Sequence, residues 1–362
     1  MILRGMSSIS RTVCLQAIAA LAASAASAQQ LAWRTTTTLY GDNTEFFTPY
    51  RVGETILGAQ FQSALILRTG GRTAVHLGAF GDHRSGGEKF LDPVKPVISF
   101  RYASGTGTGV LGTLITERRH GFLEPLEVTT LEFTRPMEYG LQWIERRRRW
   151  DAEAFLDWQQ LNTRTQREVF DYGWVVRLRP VRYVSLEHQL HGVHHGGQLF
   201  DVGPVTNNVA SGFGVVLSDT LGRWLGRSSV ALWRLRSSGN VDPDAPPGRP
   251  GSGHGWYLRA GVSPKGWFEL FSISWWGRDF LANEGDNNYN SVGTNPAFYR
   301  SRRTYWELGL LRRTRIEGEV TFDGELRFHR IDDLKSIALG HSKWEYSYRL
   351  VVRAPFEMVI KQ

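Results

Sequence analysis

Cysteine is all but missing from this chain. The only one, Cys14, lies near the N-terminus, and past it there is no thiol to form a disulfide, ligate a metal or act as a nucleophile. Long apolar runs are missing too. Beyond residue 28 no segment approaches the ~18 apolar residues that a membrane-spanning helix needs, and the mean hydropathy is −0.30. A helical membrane protein is excluded on both counts. No stretch carries a convincing helical period. The one glycine run, Gly105 to Gly109, lacks the spacing of a dinucleotide fingerprint, so no cofactor is expected.

What the chain does have begins with its leader. Arg4 and Arg11 precede the apolar stretch Val13 to Ala23, and small residues follow, ending Ala26-Ser27-Ala28. This is the layout of a secretory signal peptide over residues 1–28, with cleavage expected before Gln29 and a single domain over 29–362. The formal charge is +8, carried mostly by arginine. An exported chain with dispersed arginines is not a nucleic-acid binder; anionic lipids and solutes are the expected partners.

The most informative stretch is Met137 to Leu161. Tyr139, Leu141 and Trp143 alternate with Glu138, Gly140 and Gln142. After Arg147-Arg148, Trp150, Ala152, Ala154, Leu156 and Trp158 alternate with Asp151, Glu153, Phe155, Asp157 and Gln159. This is a β-hairpin with one apolar and one polar face. The two tryptophans are eight residues apart, which at roughly 3.3 Å per residue and a tilt near 40° separates them by about 20 Å along a membrane normal, the spacing of two aromatic girdles.

The same alternation recurs from Trp33 to Val352. The spans amount to about sixteen strands, provided that 126–146 crosses only once. With one crossing, the tight turns at 69–72, 104–109, 147–148, 180–182, 263–266 and 313–316 all fall on one side and the long loops on the other. Bacterial barrels have even strand numbers and short periplasmic turns, so both termini are expected in the periplasm. The pattern resembles the porin-like outer-membrane β-barrels of Gram-negative bacteria. That resemblance implies an all-β, antiparallel up-and-down transmembrane barrel located in the outer membrane, in contact with lipid and lipopolysaccharide, with homo-oligomers open. Such barrels often end in an aromatic residue. Here Trp344, Tyr346, Tyr348, Leu350 and Val352 suit a final strand, yet the chain runs on through Pro355-Phe356 to Gln362.

The residues expected to face the lumen are Gln60, Gln62, Arg68, Arg101, Gln142, Asp151, Glu153, Asp157, Asp171, Arg177, Glu187, Gln189, Glu319, Asp323, Glu325 and Arg327. Either they line a wet pore for small polar or charged solutes, or they pair with one another and close it. Asp42, Glu45, Asp82, His83, Glu117 and His120 fall on the outer side, where they are expected to form a glycan or headgroup site, or acid–base machinery. In Glu284, Asp286, Asn288 and Asn290, oxygen ligands recur at every second residue, which suits calcium, but the EF-hand order fails. His188, His191, His194 and His195 do not converge on a strand. There is no G-x-S-x-G, no H-E-x-x-H and no serine–histidine arrangement like those of outer-membrane lipases. The expected function is a porin-like channel for small polar solutes and not an enzyme; a closed barrel serving as scaffold, adhesin or surface lipid or glycan enzyme is the alternative.

Overall fold

The structure, a computed structural model, describes residues 30–116, 119–222, 226–239, 251–264, 268–294, 298–331 and 344–361. The leader, Glu117 and the Pro/Gly-rich stretch at 240–250 lie outside these residues. The first eight strands are β1 (Gln30–Phe47), β2 (Val52–Thr69), β3 (Thr73–Arg84), β4 (Val94–Ser104), β5 (Gly107–Thr113), β6 (Tyr139–Arg146), β7 (Trp150–Gln160) and β8 (Glu168–Val181). The second eight are β9 (Val184–Gly196), β10 (Thr206–Thr220), β11 (Arg227–Gly239), β12 (Ser252–Ser263), β13 (Glu269–Arg278), β14 (Arg302–Glu317), β15 (Val320–Ile331) and β16 (Glu345–Lys361). Each pairs antiparallel with its sequence neighbours, and β1 closes on β16. The described residues thus form a closed sixteen-stranded barrel. Closure matters because in lipid every backbone amide must be paired within the protein and an open sheet edge would be costly. No helix among them is long and apolar enough to cross a membrane.

The opening hairpin sets the sidedness. On β7, Asp151, Glu153 and Asp157 are buried, while Trp158 on the opposite face is exposed. On β6, Gln142 is buried and Leu141 and Trp143 are exposed. Polar residues therefore face inward and the apolar set faces lipid. The β2–β3, β4–β5, β6–β7, β8–β9 and β14–β15 turns share one end with Gln30 and Lys361, the end expected to be periplasmic; the opposite end carries the longer connections and the four-residue connection 48–51 between β1 and β2.

Three local expectations shift. The polar, aromatic-rich stretch 41–47, whose composition reads as a loop, is strand: β1 continues to Phe47, with Thr44 paired to Glu54 and Asp42 to Arg349. The turn expected at 313–316 lies at 318–319. Arg313 and Arg315 fall in the expected turn but remain in the ladder, which runs through Arg315↔Thr321, and Gly318, at φ 54°, takes the left-handed position that closes the turn. At the C-terminus β16 does not stop at 353. It pairs with β1 as far as Lys361, with Pro355 beyond the last β15 pair, where the strand has a neighbour on one side only.

The bore is filled. The β5–β6 connection, residues 114–138, turns inward instead of standing outside, through a 3₁₀ turn (Arg119–Gly121) and a one-turn helix α1 (Leu131–Thr134). Its Leu126 and Phe133 are fully buried. Against it, β10 to β15 supply an aromatic core that includes Trp233, Tyr257, Phe271, Trp275 and Tyr305. Gly255 is small for this reason, since a Cβ there would stand 2.0 Å from the Trp275 ring. The β13–β14 loop then folds over the inward segment. The Val128 amide donates to the Glu284 carbonyl at 2.7 Å and the Asp286 amide to the Glu124 carbonyl at 2.8 Å.

Candidate active site

Two clusters of ionisable groups occupy the interior, and they differ in what they can do. The first holds the inward segment in place. Arg119 pairs with Glu127 and Glu138 and donates to the Arg135 carbonyl at 3.2 Å. His120 lies between Glu153 (Nδ1, 2.5 Å) and Glu138 (Nε2, 2.7 Å) and stacks on Phe155 with ring centroids 3.9 Å apart. Arg119 and His120 both have left-handed backbones, φ 47° and 58°, a conformation that costs non-glycine residues energy and persists where side-chain contacts over-determine it. Burial opposes charge on His120, but Glu138 and Glu153 outweigh it and push its pKa up to about 10. Burial opposes the Glu138 carboxylate as well, and His120 and Arg119 prevail, holding it at about 2. Each charged group here is buried beside an opposite charge, and none is a free nucleophile.

The second cluster lies near the outer end of β14, β15 and β16. Glu307 and His329 are direct cross-strand partners, and Ser347 is one inward position from Glu345, the partner of His329 on its other side. Diagonal neighbours of this kind are within reach, and Ser347 Oγ lies 2.8 Å from His329 Nε2. On the other side of the ring, Nδ1 is 2.5 Å from the Tyr305 hydroxyl and 3.5 Å from Glu307 Oε2. The tautomer follows from proton counting. Tyr305 has one proton and donates it to Glu307 Oε2 at 2.6 Å, so its oxygen accepts from Nδ1–H, and Nε2 is left with a lone pair facing the Ser347 hydroxyl. Glu307 is held in turn by Arg327 Nη1 at 3.2 Å.

A serine, an imidazole base and a carboxylate that orients the base is the arrangement of nucleophilic acyl-transfer sites. Ser347, His329, Arg327, Arg349, Arg51 and Asp42 line a narrow polar pocket of about 20 Å³, room for about one water molecule. Each of its guanidiniums is ion-paired: Arg349 with Asp42, Arg51 with Asp286, and Arg327 with Glu124, Glu307 and Glu325. The flanking residues set its depth. Tyr346 and Tyr348 face lipid, and Trp344 packs edge-on against Trp306 at 5.3 Å. This is the outer aromatic girdle, at the boundary between acyl chains and headgroups.

The expected lumen set is placed as follows. Gln60, Gln62, Arg68, Arg101, Gln142, Asp151, Glu153, Asp157, Asp171, Arg177, Glu187, Gln189, Asp323, Glu325 and Arg327 lie on the inward-facing positions of their strands, and Glu319 is exposed in the β14–β15 turn. Several pair with each other or with the inward segment: Arg177 with Asp151 at 3.2 Å and Glu187 at 3.3 Å, Asp171 with Arg135 at 2.7 Å, and Arg327 with Glu124 at 2.6 Å.

The outer-loop set is corrected. Asp42, Glu45, Asp82 and His83 belong to strands. Asp42 pairs with Arg349, and Asp82 accepts from Tyr40 at 2.8 Å, with both carboxylates facing inward. His120 is inside the barrel. The oxygen-rich loop residues do not sit on a strand either: 279–294 runs through turns, so their every-second-residue spacing does not put them on one face. Glu284 pairs with Arg135, Asp286 pairs with Arg51, and the Asn290 side chain is used by Ala282. No metal-ligand cluster occurs among the described residues. Of the histidines, His191 faces inward beside Asp171 and the Leu126 carbonyl, while His188 bonds Trp174 and His194 bonds Asn207 on the other face.

Sequence reading missed the Ser347, His329 and Glu307 group. The usable signal was the alternation itself, which puts all three on inward positions of consecutive strands.

Comparison with known proteins gives a family and a fold likeness. Among solved structures, OprD of Pseudomonas aeruginosa is 12% identical over 92% of this chain and 98% of its own, with a TM-score of 0.47. OccAB3 of Acinetobacter baumannii is 10% identical over 91% and 99%, also with a TM-score of 0.47. No curated protein matches. The family model described as lipid A 3'-O-deacylase-type matches residues 23–362, and the chain belongs to that family.

Proposed function

We propose that this barrel is an outer-membrane ester hydrolase that removes an acyl chain from lipid A in the outer leaflet, with Ser347 as nucleophile, His329 as base and Glu307 as the group that orients it. The observation that carries this reading is the Ser347 Oγ to His329 Nε2 hydrogen bond of 2.8 Å, with Nδ1 committed on the other side to Tyr305 and Glu307. In the reaction Nε2 takes the serine proton as Oγ adds to the ester carbonyl. The oxyanion faces the arginine-lined cleft, and collapse expels the sugar hydroxyl, which receives its proton from the imidazolium. Water, deprotonated by the same nitrogen, then releases the fatty acid and restores Ser347. The family match supports the substrate class.

The test is mass spectrometry of lipid A after incubation with the purified chain in detergent micelles. Loss of one acyl chain is expected, and loss of that product in Ser347→Ala. A channel for small polar solutes is the second reading, favoured by the strand number, since a bore of sixteen strands holds water when nothing fills it. It requires the 114–138 segment to leave the lumen, and stepwise conductance of the native chain in a planar bilayer tests it.

A further inference from the structure

The outward face of the wall carries a feature that neither reading uses. Near the outer ends of four consecutive strands, Arg236 on β11 is the direct partner of His254 on β12, His254 of Arg278 on β13, and Arg278 of Arg302 on β14. All four side chains are exposed, on the lipid-facing parity of their strands. Directly opposite residues hold their Cβ atoms roughly 5 Å apart, and like charges placed so destabilise a sheet; Arg278 and Arg302 are such a pair, with Arg236 one strand further on beyond His254. Little relieves these arginines. Among the described residues Arg236 and Arg302 form no ion pair, and Arg278 reaches only Asp279, at 3.7 Å. Arg234, one outward position below Arg236, lies over the Trp256 ring at 5.0 Å. Trp256 and Trp276 pair directly beneath the row, and Ser211, Ser238 and Ser252 line the adjoining cleft.

We propose that this row is a binding strip for the phosphate-bearing headgroup of an outer-leaflet lipid, whose phosphates bridge the guanidiniums while its acyl chains lie over the tryptophans and the apolar wall below. Planar forks that bind phosphate through two donors suit this task. The occupant is a lipid and not a free anion because the row stands on a lipid-facing surface directly above an aromatic pair. The strip is separate from the catalytic cleft: its side chains point outward from β11 to β14, whereas Ser347, His329 and Glu307 point inward from β14 to β16.

The test uses the full chain as Ser347→Ala, so that hydrolysis does not interfere. It is reconstituted in neutral phosphatidylcholine nanodiscs with bisphosphorylated lipid A or the same lipid dephosphorylated, and retained lipid is read by native mass spectrometry. About a tenfold preference for the phosphorylated lipid is expected at low salt from a few exposed ion contacts, lost in the further variant Arg236→Gln/Arg278→Gln/Arg302→Gln. In lipid-free detergent that variant should melt higher than its parent, which a purely structural row would not allow. A triple variant that folds, as judged by heat-modifiable gel migration, and keeps the preference overturns the proposal, as does equal retention of the two lipids. Displacement of the lipid by millimolar inorganic phosphate overturns the commitment to a lipid. Should the triple variant not fold, Arg278→Gln alone is expected to lose about threefold of the preference, and no change would overturn the proposal equally.

Discussion

The inward segment is held by a cluster whose strength can be worked out and tested. Glu127 and Glu138 are 3% and 1% exposed, and Arg119 pairs with both. Arg119→Ala leaves Glu138 with His120 and, less closely, Arg135, and leaves Glu127 with His191 and His120 but no ion-pair partner. Breaking a buried pair by removing one partner costs about 3–5 kcal/mol, because the remaining charge is stranded away from water, whereas removing both partners together is often close to neutral. His120 still compensates Glu138, so the lower end of that range applies, about 3 kcal/mol, or roughly a hundredfold in the ratio of displaced to docked segment at 1.4 kcal/mol per tenfold. Arg119→Met/Glu127→Gln should recover most of it. The assay is amide hydrogen exchange over residues 119–134 in micelles, together with bilayer conductance. Exchange should accelerate by about two decades in the single variant and return near the native rate in the double, with conductance events following the same order. An Arg119→Ala chain with native protection would refute the argument, and so would a double variant as loose as the single.

Other outcomes follow from the same geometry. Because His120 is raised to about 10 and Glu138 lowered to about 2, their pairing contributes fully between the ordinary carboxylate and imidazole values, about 4.5 to 6.5. That contribution should fade as pH rises through about 10 or falls through about 2, visible as lost exchange protection at both extremes. His329→Gln should lower kcat for deacylation by about 10²–10⁴-fold, the usual worth of a positioned base, with KM little changed; an unchanged kcat would remove His329 from the mechanism. Leu156→Arg, on the lipid face of β7, should cost roughly 2–4 kcal/mol in reversible unfolding from lipid. Glu153→Gln, three residues away and facing inward, should leave insertion intact while weakening the hold on His120.

The wall was legible in the sequence because period two is a property of consecutive residues. Trp150 to Trp158 against Asp151 to Asp157 gives a sidedness that no tertiary contact is needed to read, and loop parity extends it around the barrel. The contents of the bore were not legible. Residues 114–138 have no apolar period, and Arg119, His120, Glu127 and Glu138 look like a solvated loop until their partners on β7 are known. The orienting carboxylate, base and nucleophile are separated by 22 and 18 residues of chain, and only the registers Glu307↔His329 and His329↔Glu345 bring them together. The row of outward arginines was hidden for a related reason. The run Arg146 to Arg149 stands out in sequence and lies at the β6–β7 turn, where the alternation puts it, while Arg236, Arg278 and Arg302 occur singly in sequence and form a row only across strands.

The most direct test of the central claim is covalent labelling with a serine-reactive fluorophosphonate, read by peptide mass spectrometry of the full chain in micelles. One adduct on Ser347 is expected, abolished in Ser347→Ala and slowed by His329→Gln to the same degree as deacylation. Deacylation of lipid A by a chain that takes no label at Ser347, or undiminished turnover in Ser347→Ala, would contradict the account.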